Sequence, residues 1–263
     1  MNRDEWLAWR KQGLGSSDAP IVMEMSPWCT PYRLWEIKTG VYEKPETSNR
    51  AIERGNALEP KARAQYELEQ DIDMPAKLVV HARHSWLRAS LDGYNEAEKR
   101  ILEIKCPGAA DHALACSGVV PGKYWPQIQH QLLVTGANCV DYYSFDGHRG
   151  VAIRVLPDLE YCTSLFIALR DFWKMVESRT PPPLTERDVV RVRDSNLKFL
   201  ASQWLAAKQV ADGAAEAELC MREELVEAIE RRSGTQPGLI IDEVKAFRQP
   251  QNEGHKWILK GKE

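Results

Sequence analysis

Features that would indicate a membrane, secreted or metal-scaffolded protein are scarce in this sequence. No apolar run approaches the roughly 20 residues that a membrane-spanning helix needs, and the first residues, Met1–Trp6, lack the apolar stretch of a signal peptide. Six cysteines, at positions 29, 106, 116, 139, 162 and 220, show no C-x-x-C spacing, so neither a zinc site nor a disulfide framework is indicated. We therefore expect a reduced, cytoplasmic protein.

An excess of basic residues is also missing. The formal net charge is −3, from 35 Lys and Arg against 38 Asp and Glu. A chain with this balance does not attract nucleic acid through its overall field, so any DNA binding has to come from a local groove. The 263 residues are otherwise ordinary for a globular protein, with 43% hydrophobic and 28% charged residues, and they are enough to bury a sizeable core.

The order of the predicted elements defines the fold class. Helical periodicity predicts helices at about 6–12, 18–24, 31–40, 49–70 (interrupted near Glu59-Pro60), 124–135 and 158–177. Short apolar runs predict strands at about 78–82, 87–92, 101–106, 139–146 and 150–156. Helices, antiparallel strands, a crossover helix and further strands predict an α/β fold with a mixed central β-sheet flanked by helices.

A run of three prolines, Pro181–Pro183, is the clearest boundary in the chain. We predict one domain over residues 1–183 and a mainly helical extension over residues 184–263. Within the extension, the pattern predicts a helical stretch from about 188 to 232, broken near Gly213, and a short β-hairpin from the runs at 239–247 and 256–259. The extension carries no motif that indicates chemistry.

The most informative spacing joins Asp92, in Leu-Asp-Gly, to the tripeptide Glu103-Ile104-Lys105. Since strand side chains alternate with period two, Glu103 and Lys105 share one face of their strand, and a hairpin would bring Asp92 towards Glu103. Two carboxylates suit Mg²⁺, and a neighbouring lysine can position or deprotonate water. The alternative is an ordinary turn followed by a solvated strand face.

The predicted helix at 124–135 has two contrasting faces. At about 100° per residue its apolar and polar positions separate into Trp125, Ile128 and Leu132 on one side, and Tyr124, Gln127 and Gln131 on the other. A glutamine beside a metal site can orient the attacking water or hold a phosphate oxygen. The alternative is the polar solvent face that most helices have.

Two further positions lie at predicted helix starts. Glu59 precedes Pro60, where α conformation is disfavoured, so it would stand at a helix N-terminus as a third carboxylate or simply as a residue attracted by the helix dipole. Ser16 and Ser17 follow a glycine loop, where a helix N-terminus binds phosphate readily. The alternative for these serines is plain N-capping.

Taken together, these segments resemble the YqaJ-like viral recombinases, the family of the phage lambda exonuclease. The resemblance covers about residues 1–180. The matching motifs are Trp6…Arg10…Gly13-Leu14-Gly15-Ser16-Ser17-Asp18, Ser26-Pro27…Pro31-Tyr32…Leu34-Trp35…Lys38-Thr39-Gly40, Gly55-Asn56…Glu59-Pro60, Ala89-Ser90-Leu91-Asp92-Gly93, Leu102-Glu103-Ile104-Lys105-Cys106-Pro107 and Tyr124…Gln127-Ile128-Gln129…Thr135-Gly136. Leu91 stands where the family usually has a proline before the aspartate.

The resemblance implies a restriction-endonuclease-like core and a role for each matching residue. Asp92, Glu103 and the Ile104 backbone carbonyl would hold metal, with Glu59 as an additional acidic residue. Lys105 would activate water, and Gln127 would assist near the scissile phosphate. The positions that match 5′-phosphate and DNA contacts are Arg10, Ser17, Ser90 and Tyr124. Gln129 also matches a family glutamine, but the helical wheel turns it towards the apolar side.

The resemblance further implies a Mg²⁺-dependent 5′→3′ exonuclease that resects double-stranded DNA ends to 3′ single-stranded overhangs. Two Mg²⁺ ions, replaceable by Mn²⁺, a single-strand annealing partner, a homotrimer and a phage or prophage origin in a bacterial cytoplasm complete that expectation. One alternative is a Cas4-like or RecB-like nuclease. The other is a catalytically silent scaffold that binds DNA ends in recombination.

Overall fold

The computed structural model describes residues 3–43, 50–233, 238–250 and 255–261. The chain divides into two compact units, Met1–Val190 and Arg191–Glu263. Within the described ranges, no helix has both the length and the apolar character needed to cross a membrane.

The first unit contains the predicted helices and short strands in the predicted order, with one helix (Ala109–Cys116) and one short strand (Gly93–Asn95) that were not predicted. Its helices are α1 (Arg3–Lys11), α2 (Ala19–Val22), α3 (Pro31–Thr39), α4 (Arg50–Gln70), α5 (Ala109–Cys116), α6 (Trp125–Thr135) and α7 (Leu159–Glu177). Its strands are β1 (Lys77–Val80), β2 (Arg88–Leu91), β3 (Gly93–Asn95), β4 (Arg100–Lys105), β5 (Cys139–Phe145) and β6 (Gly150–Val155). A 3₁₀ turn at Ser16–Asp18 precedes α2.

A four-stranded sheet forms the centre of this unit, in the order β3-β4-β5-β6. The β4–β5 pair is parallel, and the pairs on either side are antiparallel. Since parallel neighbours need a crossover, α5 and α6 carry the chain from the end of β4 to the start of β5. The predicted mixed α/β fold is confirmed.

Alternation along β4 divides the core between the two faces of the sheet, as the sequence predicts. Ile101 belongs to the larger cluster, which also contains Ile128 and Leu132 of α6. Leu102 and Ile104 belong to a second cluster beneath α4. Both faces of the sheet are therefore covered by helices, and a polar side chain on β4 has to find its partners inside the protein.

The predicted hairpin exists, but its strands differ from the expectation. The strand before Asp92, β2, pairs with β1 in a separate two-stranded sheet. The chain bends at Asp92, and β3 then pairs with β4, with Gly93 opposite Leu102. Because of this bend, one continuous segment contributes a strand to each of the two sheets. If the register of β3 and β4 is extended by one residue, Asp92 lies opposite Glu103.

The long helix α4 corrects the prediction for Glu59 and Pro60. Instead of ending or restarting there, α4 runs unbroken from Arg50 to Gln70 with Pro60 inside it; residue 49, predicted as its start, lies outside the described residues. A proline within a helix costs about 3 kcal/mol. Ala62 and Tyr66, buried against the sheet two and six residues later, provide the packing that offsets this cost.

The segment that follows the three prolines packs against the rest of the first unit. The Arg187 guanidinium donates to the carbonyl oxygens of Ser26 at 2.9 Å and Pro27 at 3.0 Å. The Thr30 hydroxyl donates to the Asp188 carboxylate. The compact unit accordingly extends to residue 190, seven residues beyond the predicted boundary at 183.

The second unit is one long helix and one small sheet. Its helix, α8 (Ser195–Ser233), starts later than predicted and runs without a break through Gly213. Three antiparallel strands follow in place of the predicted short hairpin: β7 (Gly238–Ile241), β8 (Val244–Pro250) and β9 (His255–Gly261). Ile229 of the helix packs with Ala246 and Trp257 of the sheet.

Truncation tests which boundary the first unit uses. We expect residues 1–190 to unfold cooperatively, and residues 1–183 to melt about 3 °C lower or more, because the shorter fragment loses the Arg187 and Asp188 contacts. Thermal unfolding followed by circular dichroism measures the difference. Arg187→Ala in the longer fragment should reproduce part of the loss, and equal melting temperatures for both fragments would contradict the role of this segment.

Candidate active site

Glu103 is the most deeply buried carboxylate of the candidate site, with 1% of its surface exposed. It lies on β4 and faces α6. Its Oε1 accepts hydrogen bonds from Lys105 Nζ and Gln127 Nε2, both at 2.5 Å, and its Oε2 accepts one from Gln131 Nε2. A buried charge is tolerated when it is paired and hydrogen-bonded, and these three donors meet that condition.

Asp92 lies beside Glu103 and is half-buried. Its Oδ2 accepts a hydrogen bond from the Ile104 backbone N–H at 2.8 Å, which fixes the carboxylate against β4. Burial, reinforced by the nearby Glu103 carboxylate and opposed by Lys105, raises the pKa of Asp92 to about 8. The carboxyl groups of Asp92 and Glu103 therefore lie close enough for two negative charges to repel each other.

Lys105 supplies a positive charge close to both carboxylates. Burial alone would lower the pKa of Lys105, but the Glu103 and Asp92 carboxylates outweigh that effect and raise it. The ammonium also lies 5.4 Å from the centre of the Tyr124 ring. The site thus contains two carboxylates and one ammonium, as the spacing of the sequence predicted.

The donor set fits a hard divalent cation. Asp92 and Glu103 offer carboxylate oxygens, the ligand type that Mg²⁺ accepts, and a cation would offset the Glu103 charge that adds to the effect of burial on the Asp92 pKa. The Ile104 carbonyl, the third expected ligand, stays a prediction. Within the described ranges no three His, Cys, Asp or Glu side chains come together as a metal-binding group. Glu59 lies on α4, 3.4 Å from Arg63, and its charge adds to the raised pKa of Asp92.

The three glutamines of α6 have different partners. Gln127 and Gln131 both donate to Glu103, so the polar face of this helix points into the site and not into solvent. Gln129 is fully buried on another side, where it donates to the Leu156 carbonyl and accepts from the Asp158 N–H at the start of α7. Sequence reasoning grouped Gln131 with Gln127 but gave it no role, although their shared helical face was the available signal.

Arg10 and Ser17, predicted to contact phosphate, are brought together. The Arg10 guanidinium donates to Ser17 Oγ at 2.6 Å and lies 3.5 Å from the Asp18 carboxylate. Ser17 is exposed at the 3₁₀ turn, which packs beside β2, and Ser90 is exposed on that strand. The fourth predicted contact, Tyr124, lies next to Lys105, as described above.

A buried ion pair beneath this loop was not predicted. Lys38 Nζ lies 2.7 Å from the Asp18 carboxylate and donates to the carbonyl oxygens of Gly13 and Arg10. Burial would raise the pKa of Asp18, but the charges of Lys38 and Arg10 hold it below its usual value. Lys38 and Asp18 therefore shape the glycine loop, and the only sequence signal for Lys38 was its place in the Lys-Thr-Gly motif.

α6 also reaches the glycine loop. His130 is fully buried, and its Nδ1 forms a hydrogen bond with Ser16 Oγ at 3.1 Å. Burial lowers the pKa of His130 to about 4, so the imidazole is neutral at physiological pH. One helix thus contacts both the carboxylate site and the loop that carries Ser17.

This mixed α/β fold belongs to a known family. The YqaJ-like viral recombinase domain model matches residues 5–138, about half of the chain, and the chain belongs to that family. The uncharacterized protein YqaJ of Bacillus subtilis (strain 168) is 31% identical over 178 residues, which are 66% of this chain and 56% of that protein. The chain thus aligns with little more than half the length of this relative.

Solved structures agree with the fold. The crystal structure of LHK-Exo in complex with dAMP is 25% identical, with a TM-score of 0.60, over 67% of this chain and 93% of that one. The crystal structure of an alkaline exonuclease (LHK-Exo) from Laribacter hongkongensis is 24% identical, with a TM-score of 0.58, and the match again covers 67% of this chain and 93% of that one. The predicted family and nuclease-type fold are confirmed.

The contacts of Glu103 predict unequal effects for the two glutamines. Gln131→Leu should destabilise the fold by roughly 1.5–3 kcal/mol, because it removes the donor to Oε2 of a buried carboxylate. Gln127→Leu should cost less, since Lys105 still donates to Oε1. Urea unfolding without added metal measures both changes. A larger loss for Gln127→Leu would show that Gln131 is not the main support of Glu103.

Proposed function

We propose that this protein is a Mg²⁺-dependent double-stranded DNA exonuclease that digests 5′→3′ and leaves 3′ single-stranded overhangs for annealing-type recombination. The observation that supports it is the group formed by Asp92, Glu103, Lys105 and Gln127, built on β4, the bend before β3 and the helix α6. The likeness to an alkaline exonuclease supports the same reaction class.

The chain's own residues would divide the work. Asp92, Glu103 and the Ile104 carbonyl would hold Mg²⁺, with Mn²⁺ as a substitute and Glu59 contributing to a second ion. The bound ions would activate water and stabilise the leaving 3′-oxygen. Lys105 would orient the attacking water. Gln127 would keep Glu103 in place beside the scissile phosphate.

The polarity of digestion would come from Arg10 at the end of α1 and Ser17 on the loop that follows. A guanidinium and an exposed hydroxyl held together suit a terminal phosphate, because charge-assisted hydrogen bonds are short and strong. Ser90 and Tyr124 would add contacts to the same strand. A 5′-phosphate bound there would place the next phosphodiester at the carboxylates, so digestion would proceed from the 5′ end.

The partners belong to the same proposal. Double-stranded DNA ends would be the substrate, a single-strand annealing protein would take the product, and a homotrimer would encircle the DNA in the bacterial cytoplasm of a phage or prophage host. Encirclement would explain how a chain of net charge −3 stays on DNA. A Cas4-like enzyme would need cysteines grouped around an iron–sulfur cluster. Cys116 and Cys220 are exposed and Cys139 and Cys162 buried, and no such group exists in the described part of the chain.

Digestion of linear duplex tests the reaction and its polarity. Substrates with 5′-phosphate, 5′-hydroxyl or 3′-labelled ends are incubated with Mg²⁺ or EDTA. The proposal requires Mg²⁺-dependent loss of 5′ nucleotides and survival of the 3′-labelled strand. Digestion that persists in EDTA, or that removes the 3′ label first, would refute it.

The carboxylates give the sharpest mutational test. Asp92→Asn and Glu103→Gln should each lower the cleavage rate by at least about a hundredfold, because each removes an anionic metal ligand. Asp92→Asn should not lower the melting temperature of the metal-free protein, since burial already disfavours the ionised form. Asp171→Asn, at a half-buried position on α7 where the carboxylate pairs with Arg170 and Lys174, is the control. If either variant keeps substantial activity, the substituted carboxylate is not a metal ligand.

Arg10 tests recognition of the 5′ end. Arg10→Ala should slow digestion of 5′-phosphorylated DNA roughly ten- to a hundredfold more than that of 5′-hydroxyl DNA, the effect of losing one charge-assisted contact. Arg149→Ala, which removes a guanidinium from the exposed β5–β6 turn, should affect both substrates equally and slightly. If Arg10→Ala impairs the two ends to the same extent, Arg10 supports the loop and does not bind phosphate.

A further inference from the structure

An exposed tryptophan adjoins the candidate active site through a series of alternating cations and rings. Lys105 Nζ lies 5.4 Å from the centre of the Tyr124 ring, and Lys123 Nζ lies 5.2 Å from the same ring. Lys123 Nζ also lies 5.3 Å from the ring of Trp28, which is 71% exposed. The series Lys105–Tyr124–Lys123–Trp28 therefore leads from beside Glu103 to the surface.

The loop that carries Trp28 is held in place on both sides. Ser26 is buried, and its Oγ accepts a hydrogen bond from the Trp28 N–H at 3.3 Å. Arg187 binds the carbonyl oxygens of Ser26 and Pro27, and Thr30 donates to Asp188 and accepts from the Arg33 N–H. These contacts fix the backbone so that the large apolar side chain of Trp28 stays exposed to water. Burial of this side chain would have stabilised the fold, so its exposure has a cost in stability.

Lys123 is also positioned. Its ammonium lies 2.6 Å from the Asp111 carboxylate at the start of α5. The Asp111 carboxylate compensates part of the Lys123 charge. The binding free energy that this surface offers a ligand therefore comes less from the charge of Lys123 than from the rings of Trp28 and Tyr124 on either side of it. Met25, 40% exposed, is the apolar neighbour on this surface and contacts Tyr161 through its sulfur.

We propose that Trp28, Lys123 and Tyr124 form a stacking site for unpaired bases of the DNA strand that enters the active site. Aromatic faces interleaved with cations are the arrangement by which proteins hold single-stranded nucleic acid, since every base presents a π-face and every linkage a negative charge. The proposal rests on the proposed nuclease function. This surface lies beside Lys105, and each of its two rings has a lysine ammonium against it. Rings and cations together suit the bases and phosphates of nucleic acid better than the surface of a protein partner.

Binding in EDTA isolates this site from cleavage. The probes are a fluorescent duplex that ends in an unpaired 5′-phosphorylated tail of about four nucleotides, and the same duplex closed by hairpins at both ends. Trp28→Ala should weaken binding of the tailed duplex about tenfold and leave the closed duplex unchanged. Trp28→Phe should restore most of the affinity, because phenylalanine still offers a face for stacking.

Two comparisons separate stacking from charge and from general effects. Lys123→Ala should reduce the slope of log affinity against log salt by less than one, because Asp111 already compensates part of the Lys123 charge, whereas Trp28→Ala should leave that slope unchanged. Trp204→Ala removes another exposed tryptophan, 62% exposed on α8, and should bind both probes like the wild type.

The results distinguish failure of this inference from failure of the proposed function. If the wild type digests DNA with Mg²⁺ but Trp28→Ala binds the tailed probe as tightly, the stacking site is wrong and the nuclease stands. Equal weakening on the tailed and closed probes also overturns the site, because the contact is then not with unpaired bases. If the wild type neither binds nor digests DNA, both proposals fail.

Discussion

The buried carboxylate of Glu103 is the constraint on which the rest of the site depends. A carboxyl side chain with 1% exposure is compatible with a stable fold only when strong donors surround it. The sheet supplies Lys105 from the same face of β4, and α6 supplies Gln127 and Gln131 one turn apart. These requirements fix the orientation of α6 on the sheet, and that orientation in turn sets the position of every other polar residue of the helix.

The same helix links the two ends of the candidate site. While Gln127 and Gln131 face Glu103, His130 faces Ser16 of the glycine loop. Lys38 and Asp18 hold that loop from below through a buried ion pair. Removal of either partner of such a pair leaves an uncompensated charge, so the loop has one well-defined shape. The half-buried Arg10 and the exposed Ser17 are consequently held in fixed positions beside this loop.

Local periodicity was enough to predict the central features of the site. Period two placed Glu103 and Lys105 on one face, and period 3.6 placed Gln127 with Gln131. A helical wheel cannot tell a face turned to solvent from one turned to a buried charge, so the role of Gln131 was missed. Pro60 was read as a helix boundary because propensity omits the packing of Ala62 and Tyr66. The bracing of the Trp28 loop by Arg187 was also out of reach, since it joins residues about 160 positions apart.

The paired state of the site cations explains how an acidic chain could act on DNA. Lys105 is paired with Glu103, Lys123 with Asp111 and Arg10 with Asp18, at 2.5, 2.6 and 3.5 Å. Each positive charge that a phosphate would meet is therefore partly neutralised, and non-specific attraction to a duplex is weak. What remains is geometry: on the proposed function, a terminal phosphate, an unpaired base and a divalent ion would each bind at a particular place. Such a surface would favour DNA ends over continuous duplex, which is the selectivity that resection of ends requires.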